Sequence, residues 1–488
     1  MRILPSVFDD EHPSNGWLKR LAPAAVVVLM GLTVFMQQFL VSLSDSTLSG
    51  VLHSIASKEE VSDPGVASLT TNAKLMIKLR QELADEGVSP SSNPQATGSE
   101  ADVDSIDFLD EIAHNRVDRF RVALVAAEIL GPRAGIDRLR ALQSEVEPGG
   151  ALAGDIDWML RWYAAQPSSV AGAVTPEARA AVIERHGWFA QLAFSLGKPA
   201  SDPLRWEAAS GGDQINAFFV TMGLLNLIFL LGGVIVLTIW LVSALKGSVE
   251  FRVESPSAPA QVYYETFALF CLIFIFGVML AVALLGETSP IGLVINEMLV
   301  WGCATVVLWP RLRGVPRMEF SDDMGLNRGE GFVREIVVGI GGFVACWPVS
   351  SLVGFVIQKL FSNPDTAEAT GGVPMYETPL ANSWLLIILS ALLSVVWAPF
   401  VEECLFRGTL HTALRSRMGP AAAVVLSSIA FGAIHPYDLA GVLQVAIMGV
   451  SFAIVREWRG SLIAPMVMHA LHNGFLELEQ VGTIALAH

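Results

Sequence analysis

Long uncharged apolar runs alternate with polar stretches along this chain, and the apolar runs have a recurring length. A helix needs about 20 predominantly apolar residues to cross the hydrocarbon core of a bilayer. The first such run, residues 21–41, follows Arg2, Lys19 and Arg20. The apolar part of a signal peptide is usually only ~7–15 residues and precedes a small-residue cleavage site. This run is longer and no clear site follows it, which predicts an uncleaved anchor. From residue 217 apolar runs dominate: 217–245, 262–285, 291–309, 332–357, 383–399 with its continuation, 421–435, 439–455 and 462–476. With the first anchor they predict about nine spans.

Between the anchor and residue 213 the pattern differs. No spanning run occurs, the stretch is polar and acidic, and a Ser/Pro/Asn/Gly linker covers 87–100. Helical periodicity follows at 106–129, 134–144, 155–165 and 176–196, separated by Pro and Gly. The expected fold is all-α: a polytopic membrane helix bundle with a helical soluble domain inserted after the first span. Its expected parts are an N-terminal segment at 1–20, the anchor at 21–42, the soluble domain at 43–212, preceding membrane helices at 213–380 and a C-terminal core at 381–488.

Lys and Arg collect on cytoplasmic loops. Lys246 and Arg252 follow the second span, Arg311, Arg313, Arg317, Arg328 and Arg334 the fourth, Arg415 and Arg417 the sixth, and Arg456 and Arg459 the eighth. The alternate loops, 286–290, 362–382 and 436–438, carry none. The alternation predicts a cytoplasmic N-terminus, with the 43–212 domain and the C-terminus outside. An alanine-rich style points to a bacterial inner or plasma membrane.

Composition agrees with this reading. Of 488 residues 52% are hydrophobic and 16% charged, where a soluble protein carries about a quarter charged; the mean hydropathy is +0.52. A simple soluble enzyme, a disordered chain and a disulfide-stapled scaffold are excluded. The net charge of −16 argues against a nucleic-acid partner, whose phosphates call for a basic surface. Cys271, Cys303, Cys346 and Cys404 all lie in apolar runs, without metal-ligand spacing, and read as small buried hydrophobes.

Charged residues inside a span cost at least ~2.5–3.5 kcal/mol at its centre and invite a functional hypothesis. The C-terminal third holds Glu402, Glu403 and Arg407 in the sixth run, His435 at the end of the seventh, and His469, His472 and Asn473 in the ninth. With 1.5 Å of rise per residue, Glu402 lies ~20 Å from Arg415, His435 ~22 Å from Pro420, and His469 and Asn473 ~15–21 Å from Arg459. Three separate segments therefore bring polar groups to one depth. Glu403 and Arg407 are i,i+4 and can pair, leaving Glu402 about 100° round the helix as the free carboxylate. His469 and Asn473 are also i,i+4, while His472 points elsewhere. His411, nine residues from Glu402, falls on the opposite face near the cytoplasmic surface.

A glutamate beside a histidine in a low-dielectric cavity can take a proton from water. A histidine and an asparagine amide can hold the oxyanion formed when that water attacks a carbonyl. The set describes peptide hydrolysis without a nucleophilic side chain, with Glu402 and His435 activating water and His469 and Asn473 stabilising charge.

Glu-Glu-x-x-x-Arg at 402–407, Phe-x-x-x-His at 431–435 and His-x-x-x-Asn at 469–473 resemble the CPBP family. That family comprises intramembrane proteases related to Ras-converting CAAX prenyl endopeptidases and to bacteriocin-processing proteins. The resemblance covers roughly 383–478. It implies a water-activating role for Glu402, completion of the first motif by Glu403 and Arg407, the second-motif histidine in His435 and the last-motif pair in His469 and Asn473. It implies a membrane-anchored protein or peptide as substrate and the bilayer as surroundings. Relatives have been called metalloproteases, and Glu402, His435 and His469 could ligate zinc, which takes His and Glu ligands. No His-Glu-x-x-His helix is present, and no cofactor is favoured. No function carries over to the 43–212 domain, which could bind a partner.

Plainer readings stand beside these. Glu403–Arg407 can be a buried lock, His435 a helix-end cap, and His469 with Asn473 interhelical glue worth ~0.6–2 kcal/mol. Cys404 adjoins two carboxylates, which disfavours a thiolate. Glu265 and Glu297 are further intramembrane acids, and Gly339, Gly341 and Gly342 suit close helix packing. A proton-coupled transporter using the same Glu and His residues, or a catalytically silent scaffold, are the alternative classes; no motif is repeated in the N-terminal spans, as many transporters would require.

Overall fold

The computed structural model describes residues 64–85, 100–164, 176–274, 302–361 and 388–487, apart from single positions, together with a few scattered residues elsewhere. The described residues are helical, with no strand among them. The anchor at 21–41, the end of the third and most of the fourth predicted span, the linker at 87–99 and Glu297 lie essentially outside the described residues. Two compact units separate, one drawn from Leu224–Val373 and Leu385–Leu478, the other mainly from Glu60–Gly223 together with Glu479–His488.

The second unit is a small helical domain. Its centre is the helix Arg116–Ile129, in which every residue from Val122 to Ala127 is buried. A helix apolar on all sides belongs inside a core. Phe120, Leu124, Leu139, Met159, Tyr163 and Phe194 pack in one cluster with Leu69 and Ile77 of the Pro64–Asp85 helix. Two predicted helices are each divided. The 106–129 pattern splits into Glu100–Glu111 and Arg116–Ile129 because Asn115 caps the second, its side chain accepting from the Asp118 N–H at 2.9 Å. The 176–196 pattern splits at Gly187, whose φ of +52° ends Pro176–His186 and starts Trp188–Ser195. The helix Pro64–Asp85 was not anticipated, since its polar composition conceals its apolar stripe.

The first unit holds the apolar helices, except that the part of Pro203–Leu245 before Leu224 belongs to the second. Among the described residues three stretches are long and apolar enough to cross a membrane: Pro203–Leu245, Phe332–Ile357 and Leu439–Arg459. Ala260–Ile273 and Pro420–Ala433 are shorter apolar helices. Only 6% and 11% of the first two windows are buried, against 44% of the third, so Leu439–Arg459 is an inner helix while the others turn Ile228, Leu231, Val337 and Phe355 outward. Apolar side chains facing outward on long helices fit a lipid environment, and the chain is an integral membrane protein. Gly339 and Gly342 leave no room for a Cβ against Val467 and Met468, which is the close approach expected of them; Gly341 faces open space.

Candidate active site

The sixth apolar run does not continue as a plain α-helix. A short α-helix, Ala398–Glu403, is flanked by wide i→i+5 turns at Leu393–Trp397 and Cys404–Leu410. Pro399 accounts for the first. The Ala398 N–H bonds the Leu393 carbonyl, and in that register the Ser394 carbonyl would look to Pro399, which has no N–H. The Nδ2 of Asn473 donates to it instead, at 2.8 Å. Such π-turns are rare and often lie at functional sites.

Glu403 and Arg407 form the pair expected from their spacing. Arg407 Nη1 donates to Glu403 Oε1 at 2.9 Å with both side chains fully buried. Nη2 donates to the Gly449 carbonyl at 3.0 Å, and the guanidinium lies over Phe431 and Phe452, 4.3 and 5.2 Å from their centroids. A buried charge is tolerated only with such partners.

The same Glu403 oxygen accepts from His469 Nδ1 at 3.0 Å. A carboxylate can only accept, so Nδ1 carries the hydrogen and Nε2 faces away. That Nε2 lies 3.9 Å from Glu402 Oε2, beyond hydrogen-bond range but a separation one water can bridge. The His469 ring stacks on Phe452 at 5.1 Å and 22°. Glu402 Oε2 is buried and has no hydrogen-bond partner among the described residues.

His435 Nδ1 bonds the Phe431 carbonyl at 2.8 Å, which fixes Nδ1–H and leaves Nε2 with its lone pair. The His435 ring stands edge-on to Phe431, with centroids 5.0 Å apart. Glu402, Glu403, Arg407, His435 and His469 therefore gather around the rings of Phe431 and Phe452. Asn473 stands one turn further along its helix, engaged with Ser394 rather than with the carboxylates. His472 turns toward Trp347, and Cys404 is buried. Glu265 pairs with Arg313 at 3.1 Å and accepts from Trp309 Nε1.

Other charged residues occupy places that sequence reasoning missed. His411 is fully buried, bonded to Glu457 through Nε2 at 2.8 Å and to Ser427 through Nδ1 at 3.2 Å. Arg415 pairs with the same Glu457 oxygen at 2.9 Å. Arg456 and Arg459, read above as loop charges, are buried: Arg456 donates to the Asp323 carbonyl and Arg459 to Glu330 and Glu335. Hydrogen bonds from Arg459 and Arg252 hold the Glu330 carboxyl down at about 2. The missed signal is the sign of the charges: Glu457 sits between Arg456 and Arg459, and Glu330 and Glu335 sit among the arginines that follow the fourth span.

Zinc would need three ligands and an open water position. Among the described residues no three His, Cys, Asp or Glu side chains, Glu402, His435 and His469 included, gather closely enough to hold a metal.

Residues 383–475 match the Rce1-like family model, described as type II CAAX prenyl endopeptidase Rce1-like. The matched stretch contains all three motifs and supports the resemblance drawn from them. No curated protein and no solved structure matches the chain.

Proposed function

We propose, from the premise that residues 383–475 act as their family match implies, that the protein is an intramembrane endopeptidase. It hydrolyses a peptide bond of a membrane-associated protein or peptide. The observation that carries the reading is the unpaired Glu402 Oε2 lying 3.9 Å from His469 Nε2.

In this reading Glu402, aided by the bare Nε2 of His435, takes a proton from water as its oxygen attacks the scissile carbonyl carbon. Negative charge collects on the carbonyl oxygen. His469 in its protonated form donates Nε2–H to that oxygen, because Glu403 accepts Nδ1–H and supports the imidazolium. Asn473 has a second amide N–H to give. When the C–N bond breaks, the proton on Glu402 passes to the leaving amine. Arg407 touches no reacting atom; it positions Glu403. Glutamate chemistry is preferred to zinc because no three His, Cys, Asp or Glu side chains among the described residues converge closely enough to ligate one and the chain has no His-Glu-x-x-His helix.

The proposed topology has nine spans, a cytoplasmic N-terminus in a bacterial inner or plasma membrane, and the 43–212 domain outside, where it can recruit or screen substrates. The test uses the full chain in liposomes with candidate membrane-anchored peptides and mass-spectrometric detection of new termini. Wild type should cleave and continue to cleave after chelation, whereas Glu402→Gln, His435→Ala and His469→Ala should not. Retained cleavage by Glu402→Gln overturns the mechanism. A proton flux lost in Glu402→Gln, without cleavage by the wild type, would favour a transporter.

A further inference from the structure

The buried or half-buried acids of the membrane unit nearly all have a cation or several donors. Glu265 has Arg313, Glu335 has Arg459, Glu403 has Arg407 and Glu457 has Arg415. Asp323 accepts from the backbone N–H groups of Ser257 and Ala258 and from the Tyr263 hydroxyl. Two depart from the pattern, each with a buried carboxylate oxygen that accepts no hydrogen bond among the described residues: Glu402, which has only the long 3.9 Å approach of His469 and which the proposed reaction uses, and Glu477, which it does not use.

His469, Asn473 and Glu477 recur at every fourth position of the helix Ile463–Ala487, so they share one face. All three face the 393–410 segment. His469 meets Glu403, and Asn473 donates to the Ser394 carbonyl. The Ser394 hydroxyl bonds the Glu477 carboxylate. One carboxylate oxygen is thereby held, while Oε2 is buried without a hydrogen-bond partner among the described residues. No Lys, Arg or His among the described residues is its partner. Glu477 lies just past the residues that the family match covers.

We infer that Glu477 is a specificity residue whose missing cation is brought by the substrate: it receives the Lys or Arg side chain of the polypeptide being cleaved. This rests on the protease reading. Eight residues at 1.5 Å each place Glu477 ~12 Å along the helix from His469. An extended chain covers ~3.3 Å per residue, so the basic residue sits about three or four positions from the scissile bond.

The test profiles a proteome-derived peptide library with the full-length protein in liposomes, comparing wild type, Glu477→Gln, Glu477→Lys and Glu402→Gln. Wild-type cleavage sites should be enriched in Lys and Arg three or four residues to one side of the bond. Glu477→Gln keeps a partner for Ser394 and should still cleave with kcat within about twofold. Its basic preference should vanish, and its KM for a basic peptide should rise about tenfold, the scale of one charge-assisted hydrogen bond. Glu477→Lys should prefer Asp or Glu at that place. An unchanged preference and KM in Glu477→Gln overturns the assignment, as does a fall in kcat alone, which would mark a structural part. Equal cleavage by Glu402→Gln, or none by wild type, instead overturns the protease reading and this inference with it.

Discussion

The membrane unit and the second helical unit each contain a cluster of one carboxylate, one arginine and one histidine, buried in the first and with its arginine exposed in the second. In the first, Glu403 holds Arg407 and His469. In the second, Asp155 holds Arg185 Nε at 2.8 Å and His186 Nε2 at 3.0 Å. What differs is the far side of each histidine. His469 Nε2 looks toward a second carboxylate with a free oxygen. His186 has its ring 4.4 Å from Phe120, and its Nδ1 is buried without a hydrogen bond. The same three residue types thus give a polarised imidazole facing a base in one place and a helix tie in the other. Composition does not make a reactive centre; the group beyond the second ring nitrogen does.

The strongest way to break this contrast is to remove that group. Glu402→Gln should lower cleavage by ~10²–10⁴-fold, the usual worth of a general base, with the thermal midpoint unmoved because Glu402 Oε2 bonds nothing. Activity surviving in that variant would make the membrane cluster as structural as the other. Arg407→Met comes next. It strands the fully buried Glu403, and breaking a buried pair costs about 3–5 kcal/mol, read as a lower unfolding midpoint of the full chain in detergent. A midpoint within a degree or two of wild type would mean that Glu403 is held without its arginine.

Much of this was legible in the sequence, and the exceptions have physical causes. Helical class and apolar runs follow from composition and length. The i,i+4 spacing foretold the Glu403–Arg407 pair; the shared depth of three segments led to the expectation of one site, and the structure brings His469 Nε2 to 3.9 Å from Glu402 Oε2. Asn473 was placed with them by the same spacing, but its contact with Ser394 depends on a π-turn forced by Pro399, which a regular helix count does not contain. Arg456 and Arg459 were assigned to a loop because an arginine at a span's end satisfies the charge rule whether it meets water or Glu335. The break at Gly187 was hidden inside a continuous apolar period, since positive φ leaves no mark on hydropathy. The cluster of the second unit was missed altogether: Asp155 and His186 lie on separate helices, joined only by tertiary packing.

The Asp155 cluster should respond to substitution in stability alone. Asp155→Asn weakens hydrogen bonds to charged partners, worth about 1.5–3 kcal/mol, and should speed amide hydrogen exchange in the helix Ala151–Ala164 while cleavage stays at the wild-type rate. The pH dependence gives a second reading. Burial works to raise the Asp155 carboxyl, but hydrogen bonds and charge from His186 and Arg185 outweigh it and hold the group below its ordinary value. A depressed acid contributes in full above its unfolded value, about 3.9, and its contribution is lost as pH falls through the folded value. The exchange difference between wild type and Asp155→Asn should therefore be constant near neutrality and shrink below about pH 4. A difference that grew on acidification would reverse the sign and refute the pairing.

The smallest expected effect concerns two asparagines that each satisfy a backbone group lacking a helical partner. Asn115 accepts from the Asp118 N–H at 2.9 Å and donates to the Asp118 carboxylate at 2.8 Å; Asn473 donates to the Ser394 carbonyl. An N-terminal helix N–H can be capped by any short acceptor, so Asn115→Ala should cost about 1 kcal/mol and Asn115→Ser should recover most of it. The measurement is the exchange of the first-turn amides of the helix Arg116–Ile129 in the full chain. Asn473 offers no such latitude, because Ser394 needs a donor and the residue that would supply one in the π register is Pro399. Asn473→Ser has a donor but too short a reach, and Asn473→Asp puts an acceptor against an acceptor. Serine should therefore rescue position 115 and fail at position 473. Equal rescue at both would show that the wide turn tolerates an orphan carbonyl, and would remove the reason for placing Asn473 there.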